Sequence, residues 1–458
     1  MRRYILPLGL SVLFFNPSLA QTGAQTTLSP RGIDAVRDHA VETSVETSIA
    51  PQGDNVSALH VTEPVAPLTL KAALDLALGA NPELAAAAHE LEAVDAMIVQ
   101  AQVRPNPEFA TSIEDTRSAT RLTKLQLNQP IELGGKRAAR INAAERGRDA
   151  ASAELNTRHA EIRAVVVTAF FDVLVAQERL RLAQASVELA QRVSTAASRR
   201  VMAGKVSPVE EIRARVAEAS VQVELTLSES ELATARKRLA STWGNTRPRF
   251  ERADGNLDAL PPLLTLADLN SRLAASPNLL RARIEVDRRQ AVAEVERSQR
   301  IPDVTVTLGA QRNNASGLNQ TVLGVSIPIP VFDRNQGNLL EALHRTDKAR
   351  DELSAAGIRL SNELAQAHES LNAARQEVEL LQRDILPGAQ SVYDAATKGF
   401  ELGKFSFLEV LDAQRTSFQS QSQYLRALAK AHRSAAEIER ILGETPPNLI
   451  LAPAATQP

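Results

Sequence analysis

The turn Gly204-Lys205-Val206-Ser207 recurs further along the chain as Gly403-Lys404-Phe405-Ser406. Earlier in each half, Asn81-Pro82-Glu83-Leu84 is echoed by Ser276-Pro277-Asn278-Leu279. Several landmarks that keep their order and spacing indicate an internal duplication. The sequence therefore predicts two structural repeats joined by a linker.

Each repeat is predicted to contain a short helix, two strands, a very long helix and a returning helix. At about 1.5 Å per residue the long helix spans roughly 100 Å, and the short and returning helices together span nearly as much. Two short helices stacked end to end could therefore run antiparallel beside one long helix. The predicted helices are Pro82 to Arg104, Lys136 to Ala203 and Ser207 to Trp243 in the first repeat, and Pro277 to Arg300, Gln336 to Leu402 and Phe405 to Leu442 in the second.

Alternation of apolar and polar residues marks the strands. Val304 to Leu308 and Leu323 to Ile329 alternate in the second repeat, and Leu125 and Leu127 do so in the first. Phe109 to Asp115 shows the pattern more weakly. A period of two predicts one apolar and one polar face.

The helices carry apolar residues at the seven-residue spacing of coiled coils. Leu411, Phe418 and Leu425 form one such seam, and Val209, Val216 and Val223 form another. A soluble helical bundle would show similar heptads, but it would not explain a pair of strands at the equivalent position of each repeat. The fold class is therefore predicted to be mainly α with a small β part, built on duplicated antiparallel helical hairpins.

The first residues have the form of a secretory signal, with Arg2 and Arg3 before a short apolar run and Ser18-Leu19-Ala20 as the cleavage site. No later stretch has 18 consecutive apolar residues, so any membrane insertion is expected as a β-barrel. The predicted segments are a signal peptide (1–20), a flexible segment (21–67), the first repeat (68–243), an equatorial linker (244–263), the second repeat (264–443) and a tail (444–458).

Four strands cannot close a membrane barrel, because the smallest single-chain barrels have about eight. Three chains of four strands would form a shared barrel of twelve, with the helices as a tube below it. An exported chain of this kind is predicted to be a duct.

Composition excludes several other classes. With 52 basic and 54 acidic residues the net charge is −2, which gives no reason to expect a nucleic-acid partner. The absence of cysteine excludes disulfides and thiolate sites. The seven histidines are scattered, and no nucleophile–base constellation or phosphate loop is present. We expect no enzyme activity, no cofactor and no resident metal site.

The chain resembles the TolC-like outer-membrane efflux proteins from about Leu68 to Gly443. Pro105-Asn106-Pro107 and Gln129-Pro130-Ile131-Glu132 are similar to landmarks of that family, as are the turns and Pro-containing helix starts quoted above. The stretch from Ile327 to Gly337 is more specific and resembles the heavy-metal branch, which serves cobalt–zinc–cadmium and nickel–cobalt resistance. Unlike some relatives, this chain has no lipidated cysteine.

This resemblance implies a homotrimeric exit duct in the outer membrane with a long periplasmic extension. The duct would dock onto a periplasmic adaptor and a proton-driven inner-membrane pump of the RND type. It would export divalent cobalt, nickel, cadmium or zinc. An outer-membrane channel for drugs or for type I secretion remains an alternative, as does a periplasmic coiled-coil adaptor, although an adaptor predicts one hairpin rather than two.

The resemblance also implies roles for residues near the two turns. The adaptor would contact the turns, and carboxylates past them would ring the closed entrance. Phe400 and Phe405 occupy positions where the best-known family member ties its closed helices with polar side chains, so a different latch is expected. The candidate adaptor-contact residues are Gly204, Lys205, Ser207, Gly403, Lys404 and Ser406, and the candidate gate residues are Glu409, Asp412 and Glu210.

Overall fold

The computed structural model describes Glu63 and residues 67–443. The predicted signal peptide, the predicted tail and nearly all of segment 21–67 lie outside the described residues. No helix in the described part of the chain is both long and apolar enough to cross a membrane. The fold is mainly α with a small β part, as predicted, and long helices account for most of it.

The helices follow the predicted duplication. In the first repeat they are α1 (Leu70–Ala80), α2 (Pro82–Gln102), α3 (Lys136–Met202) and α4 (Pro208–Ser241). In the second they are α5 (Leu266–Leu273), α6 (Pro277–Ser298), α7 (Gln336–Leu380), α8 (Leu386–Glu401) and α9 (Phe407–Leu442).

Side-chain caps explain where the short helices begin. The Asn81 carboxamide oxygen accepts hydrogen bonds from the backbone N–H groups of Glu83 and Leu84, and Ser276 caps α6 in the same way. A proline at the first helical position follows each cap, where its missing N–H costs nothing. Helices α1 and α5 are not expected from the sequence analysis; each is short and begins at a threonine cap, Thr69 or Thr265.

The two short helices of each repeat stack end to end, as predicted. The Asn81 amide donates a 2.7 Å hydrogen bond to the carbonyl of Thr242, just past the end of α4. In the second repeat, Gly443 lies so close to the Pro277 ring that no side chain would fit there. Helices α2 and α4 therefore form one interrupted rod beside α3, and α6 and α9 form another beside α7.

The second long helix differs from its prediction. The sequence predicts one helix from Gln336 to Leu402. In the structure a π-helical turn, Leu381–Ile385, separates α7 from α8. Pro387 follows this turn. A proline inside a helix has no N–H to donate and its ring collides with the carbonyl four residues earlier, and a π turn is one way to accommodate it.

Two short strands, β1 (Leu68–Thr69) and β4 (Ala253–Asp254), pair in parallel. Four longer strands form one antiparallel sheet at one end of the long helices. They are β2 (Glu108–Glu114), β3 (Leu122–Ile131), β5 (Val304–Asn313) and β6 (Leu318–Ser326), in the order β2-β3-β5-β6. The strands β3 and β5 come from different repeats, so the repeats share a ladder from Leu122 opposite Asn313 to Ile131 opposite Val304. Strand β6 ends before the predicted Ile329, because Pro328 and Pro330 cannot donate to a ladder.

The main core surrounds the middle of α3. Residues 165–176 are apolar almost all round the helix. Linker 244–263 covers part of this stretch, because its residues Phe250, Ala253 and Leu257 belong to the same buried cluster as Phe170 and Leu174.

Two polar groups fasten this region. Glu63, which is buried, accepts hydrogen bonds from the Trp243 indole at 2.8 Å, the Arg249 backbone N–H at 2.5 Å and Asn245. His432 of α9 stacks on Phe171 of α3 with ring centroids 3.6 Å apart. Its Nε2 lies 3.0 Å from the carbonyl oxygen of Leu257. Burial lowers the pKa of His432, more than the bond to Leu257 raises it.

Helix α4 carries two apolar stripes on opposite faces. Ala214, Leu232 and Leu239 are buried, whereas Val216 and Val223 are exposed by 61% and 60%. The predicted seam through Val209, Val216 and Val223 therefore has no partner within the described part of the chain. A helix that is apolar on two opposite sides is suited to lie between two neighbours.

We predict that His432→Phe reduces the loss of stability on acidification. The phenyl ring can still stack on Phe171 but does not titrate. The pKa of His432 is lowered in the folded protein, whereas in the unfolded chain histidine has its ordinary pKa of about 6.5. As the pH falls through that value, the unfolded chain therefore binds a proton at this position and the folded chain does not. The wild-type protein therefore loses stability as the pH falls below that value.

The measurement is thermal unfolding of the detergent-solubilised protein at a series of pH values. The variant is expected to be less stable at neutral pH, by about 1–3 kcal/mol, because the Leu257 carbonyl loses its partner. The exposed His89→Gln is the control and should keep the wild-type pH dependence. Identical pH dependence in wild type and His432→Phe would contradict the prediction.

Candidate functional site

The two hairpin turns have the same backbone geometry. Gly204 and Gly403 have φ values of 69° and 73°, in the left-handed region that glycine adopts without strain. The Lys205 N–H donates to the Arg200 carbonyl at 2.9 Å, and the Lys404 N–H donates to the Gly399 carbonyl at 2.8 Å. These bonds close helices α3 and α8 in the Schellman manner.

Serines begin the returning helices after both turns. The Ser207 hydroxyl accepts a hydrogen bond from the Val209 N–H at 3.4 Å. At the second turn, the backbone N–H of Ser406 donates to the Glu409 carboxylate at 2.6 Å, as in a capping box. A carboxylate at this position also interacts favourably with the helix dipole. Glu409 therefore stabilises the start of α9, whatever else it does.

Positively charged side chains surround a groove between the two turns. The groove has a volume of about 980 Å³ and reaches Phe400 and Gly403 of the second turn. Its only carboxylate among the described lining residues is Glu188. The basic lining residues are Arg192, Arg199, Arg200 and Lys205.

The two phenylalanines beside the second turn, Phe400 and Phe405, differ in their packing. Phe400 is buried, and the Arg200 guanidinium carbon lies 4.8 Å from its ring centroid. The Phe405 ring lies against Gly399. A cation over an aromatic face contributes about 0.5–1 kcal/mol when exposed. Within one chain, the contact between the Arg200 guanidinium and the Phe400 ring therefore links the end of α3 to the end of α8.

The remaining candidate gate carboxylates lie on α9 and α4. Asp412 is exposed and lines a cleft of about 680 Å³ between these helices, together with Arg415 and Glu224. Glu210 is half-buried, while its neighbour Glu211 accepts bonds from Ser198 at 3.1 Å and Arg215 at 2.6 Å. Glu211 links α4 to α3 and is not among the residues predicted from the sequence. Arg215 lies four residues further along α4, a spacing that predicts an ion pair with Glu211. The gate assignment stays a prediction.

The sheet has one apolar and one polar face. Phe109, Leu127, Leu308 and Leu323 pair directly across the four strands, and each is at least 45% exposed. A row on the other face consists of Ser112, Lys124, Gln311 and Gln320. An apolar face that none of the described residues covers is expected to meet another apolar phase.

No group of three or more histidine or acidic side chains within residues 67–443 is arranged to hold a metal ion. Charged side chains near the turns instead cap a helix, as Glu409 does, form ion pairs, as Glu211 does with Arg215, or line the basic groove. The candidate sites in this part of the chain are surfaces, namely the basic groove at the turns, the cleft between α4 and α9, and the polar face of the sheet.

Comparison with known proteins agrees with this architecture. Residues 73–245 and 269–444 match the family described as outer membrane efflux protein. The cobalt-zinc-cadmium resistance protein CzcC of Cupriavidus metallidurans is 47% identical over 97% of this chain and all of that protein. The nickel and cobalt resistance protein CnrC of the same organism is 28% identical over 66% of this chain and 72% of that protein.

Solved structures share the fold at lower identity. The channel CusC superposes with a TM-score of 0.69 and 20% identity, covering 82% of this chain and 92% of CusC. The outer membrane protein VceC of Vibrio cholerae gives a TM-score of 0.67 and 19% identity, covering 82% and 96%.

These relatives are outer-membrane channels with a periplasmic helical extension, so the location predicted from the sequence is confirmed. Their family is one of transporters, which also confirms the expectation that the protein is not an enzyme. The chain belongs to the outer membrane efflux protein family.

Proposed function

We propose that this protein is the outer-membrane exit duct of a tripartite, proton-driven system that exports divalent heavy-metal cations. The observation that carries the proposal is the 47% identity to a cobalt-zinc-cadmium resistance protein over the full length of that relative. The pyoverdine export protein OpmQ of Pseudomonas aeruginosa is only 24% identical over 65% of this chain. Export of organic compounds is therefore the weaker alternative.

Three chains would complete the structure. Among the described residues, the edge strands β2 and β6 of the sheet have no partner on their outer sides. Hydrocarbon does not tolerate such open edges. Joining β6 of one chain to β2 of the next would give twelve strands, with the row from Phe109 to Leu323 facing lipid and the polar face lining the lumen.

The helices offer matching edges for the same assembly. Exposed apolar side chains line α4 at Ile212, Val216 and Val223. On the α7–α8 rod, Ile358, Ile385 and Val392 are also exposed. Since α3 and the α6–α9 rod lie between these helices, contact between the two edges of neighbouring chains would close a tube.

At the far end of that tube, the proposed adaptor contacts are Gly204, Lys205, Ser207, Gly403, Lys404 and Ser406. All six belong to the turns or to the helix caps beside them. The basic groove favours an adaptor surface that carries carboxylates. The adaptor would connect the duct to a proton-driven inner-membrane pump of the RND type.

The first test concerns assembly. Val216→Asp/Val223→Asp places two charges on the exposed stripe of α4 and should convert the trimer to monomers, because buried unpaired charges cost several kcal/mol. Gln222→Asp/Thr226→Asp is the matched control, since it adds the same charges on the exposed flank of the stripe. Native mass spectrometry in detergent measures the result. A wild-type monomer, or a trimer that tolerates both double variants, would refute the proposed assembly.

The second test concerns cargo. Deleting the gene from its host should lower tolerance to cobalt, nickel, cadmium or zinc more than tolerance to drugs, and restoring it should reverse the loss. Growth at graded metal concentrations measures this, with Gln222→Asp/Thr226→Asp as a complementing control and Val216→Asp/Val223→Asp as a non-complementing one. Unchanged metal tolerance in a strain with an active cognate pump would argue for another cargo.

The third test concerns the gate. In a trimer, Glu409 and Asp412 would give six carboxylates near the narrow end, which attract cations and repel anions. Glu409→Gln/Asp412→Asn removes these charges, and glutamine can still accept the capping bond from Ser406. Cation selectivity and block by divalent cations should both fall in planar-bilayer recordings.

The control for the gate variant is Asp347→Asn/Glu352→Gln, which neutralises two exposed carboxylates on α7. It should conduct as the wild type does. Glu210→Gln should add a further loss of selectivity if the first-repeat carboxylate also faces the pore. If neither gate variant differs from the control, the carboxylates serve only as helix caps and solvated side chains.

A further inference from the structure

An arginine-lined cavity lies where the sheet meets the helices, far along the chain from the turns. Arg297 and Arg300, at the end of α6, and Arg334, just before α7, line it together with Ile301 and Pro330. The cavity has a volume of about 530 Å³. Strands β5 and β6 begin and end beside these residues, so the cavity lies at the helix-facing edge of the sheet.

The three guanidinium groups are poorly neutralised. Arg300 makes no side-chain hydrogen bond or ion pair with any described residue. Arg334 donates from Nε to the Pro330 carbonyl at 3.2 Å, which is a neutral partner. Arg297 pairs with Glu294 at 2.6 Å, but both side chains are more than half exposed, and such pairs contribute little.

Nearby carboxylates are engaged elsewhere. Asp303 accepts from the buried Lys136 ammonium at 2.7 Å. Glu296 accepts from the Asn335 side chain at 2.7 Å, and Asp333 accepts from the Asn335 backbone at 2.9 Å. Arg300 and Arg334 therefore have no carboxylate partner among the described residues, and Arg297 has only the exposed Glu294. Concentrated positive charge that is so weakly neutralised favours binding of an anion.

The segment beside the cavity is strongly apolar and exposed. Ile329 and Phe332 are exposed by 83% and 91%, and Ile327 and Val331 by 53% and 57%. Ile327, Ile329 and Val331 continue the alternation of the apolar row of β6 past its last residue. Large exposed apolar side chains at the end of an apolar sheet face are suited to contact with hydrocarbon.

We propose that this cavity binds the phosphate of an anionic phospholipid whose acyl chains lie along Ile327 to Phe332. Guanidinium groups suit this role because they bind phosphate oxygens in pairs and remain charged, and basic pockets at a membrane edge bind lipid head groups. The inference rests on the proposed insertion of the sheet into the outer membrane. A phospholipid is favoured over free phosphate because the charged cavity and the apolar segment are adjacent.

The test is native mass spectrometry of the detergent-solubilised full-length protein titrated with dioleoylphosphatidylglycerol or dioleoylphosphatidylcholine. The wild type should retain the anionic lipid and bind the zwitterionic one at least tenfold more weakly. The variant R297A/R300A/R334A should lose that preference. R345A/R350A/R359A, which removes three exposed arginines of α7, is the matched control and should keep it.

Two further arms separate the possible results. Arg300→Ala removes a side chain that has no partner within the described residues, so it leaves folding contacts intact and should weaken phosphatidylglycerol binding about tenfold. Ile329→Ser/Phe332→Ser should also weaken it, because the acyl chains lose contact. The same spectra report the trimer, so loss of lipid from an intact trimer is distinct from failure of the proposed assembly.

Inorganic phosphate provides the last comparison. It should displace the phospholipid only at concentrations far above those of the lipid. If inorganic phosphate binds as tightly as phosphatidylglycerol, the cavity is a free-anion site and the proposal is wrong. Wild-type lipid binding in R300A, or equal loss in R297A/R300A/R334A and the α7 control, would also overturn it.

Discussion

The middle of α3 must be covered on every side, and much of the fold follows from that requirement. Val166, Phe170 and Val173 are each at most 1% exposed, and fully burying a side chain of this size contributes about 1.5–3 kcal/mol. One neighbouring helix cannot enclose a whole helix circumference. The end of α4, the middle of α9, the helix α1 and the linker therefore converge on the same turns of α3. Because α4 and α9 both contact the middle of α3, this packing also fixes the positions of the two interrupted rods along the long helices.

Much of this architecture could be predicted from the sequence, because its signals are local. Glycine followed by lysine and serine marks both turns, and Asn81-Pro82 and Ser276-Pro277 mark the helix starts. Periodicity located the strands, although the prolines after Ser326 end β6 earlier than the alternation does. The helices α1 and α5 were missed because 11 and 8 residues are too few to show a clear helical period. The pairing of β3 with β5 joins positions far apart in the chain, and no local pattern encodes it.

The candidate site was harder to predict for a different reason. Glu409 and Asp412 were chosen for their spacing, but a carboxylate in the first turn of a helix also satisfies the helix start, as Glu409 does at Ser406. In the proposed trimer the lumen lies between chains, so the sequence of one chain does not distinguish a pore-lining side chain from a capping one. The cavity formed by Arg297, Arg300 and Arg334 was not predicted either. Its members lie at the end of α6, in the turn that follows it and in the loop before α7, which only the fold brings together.

The π-helical turn at Leu381–Ile385 has a consequence for how the sequences of α7 and α8 can vary. A π turn accommodates one residue more than an α turn over the same length, so the side chains of α8 are rotated about the helix axis relative to an unbroken continuation of α7. The seven-residue apolar pattern of α8, which lies nearest the hairpin turns, therefore need not be in phase with that of α7, which lies nearest the sheet. Substitutions in the half nearest the hairpin turns can therefore change the apolar register there while the sheet-side half keeps its own.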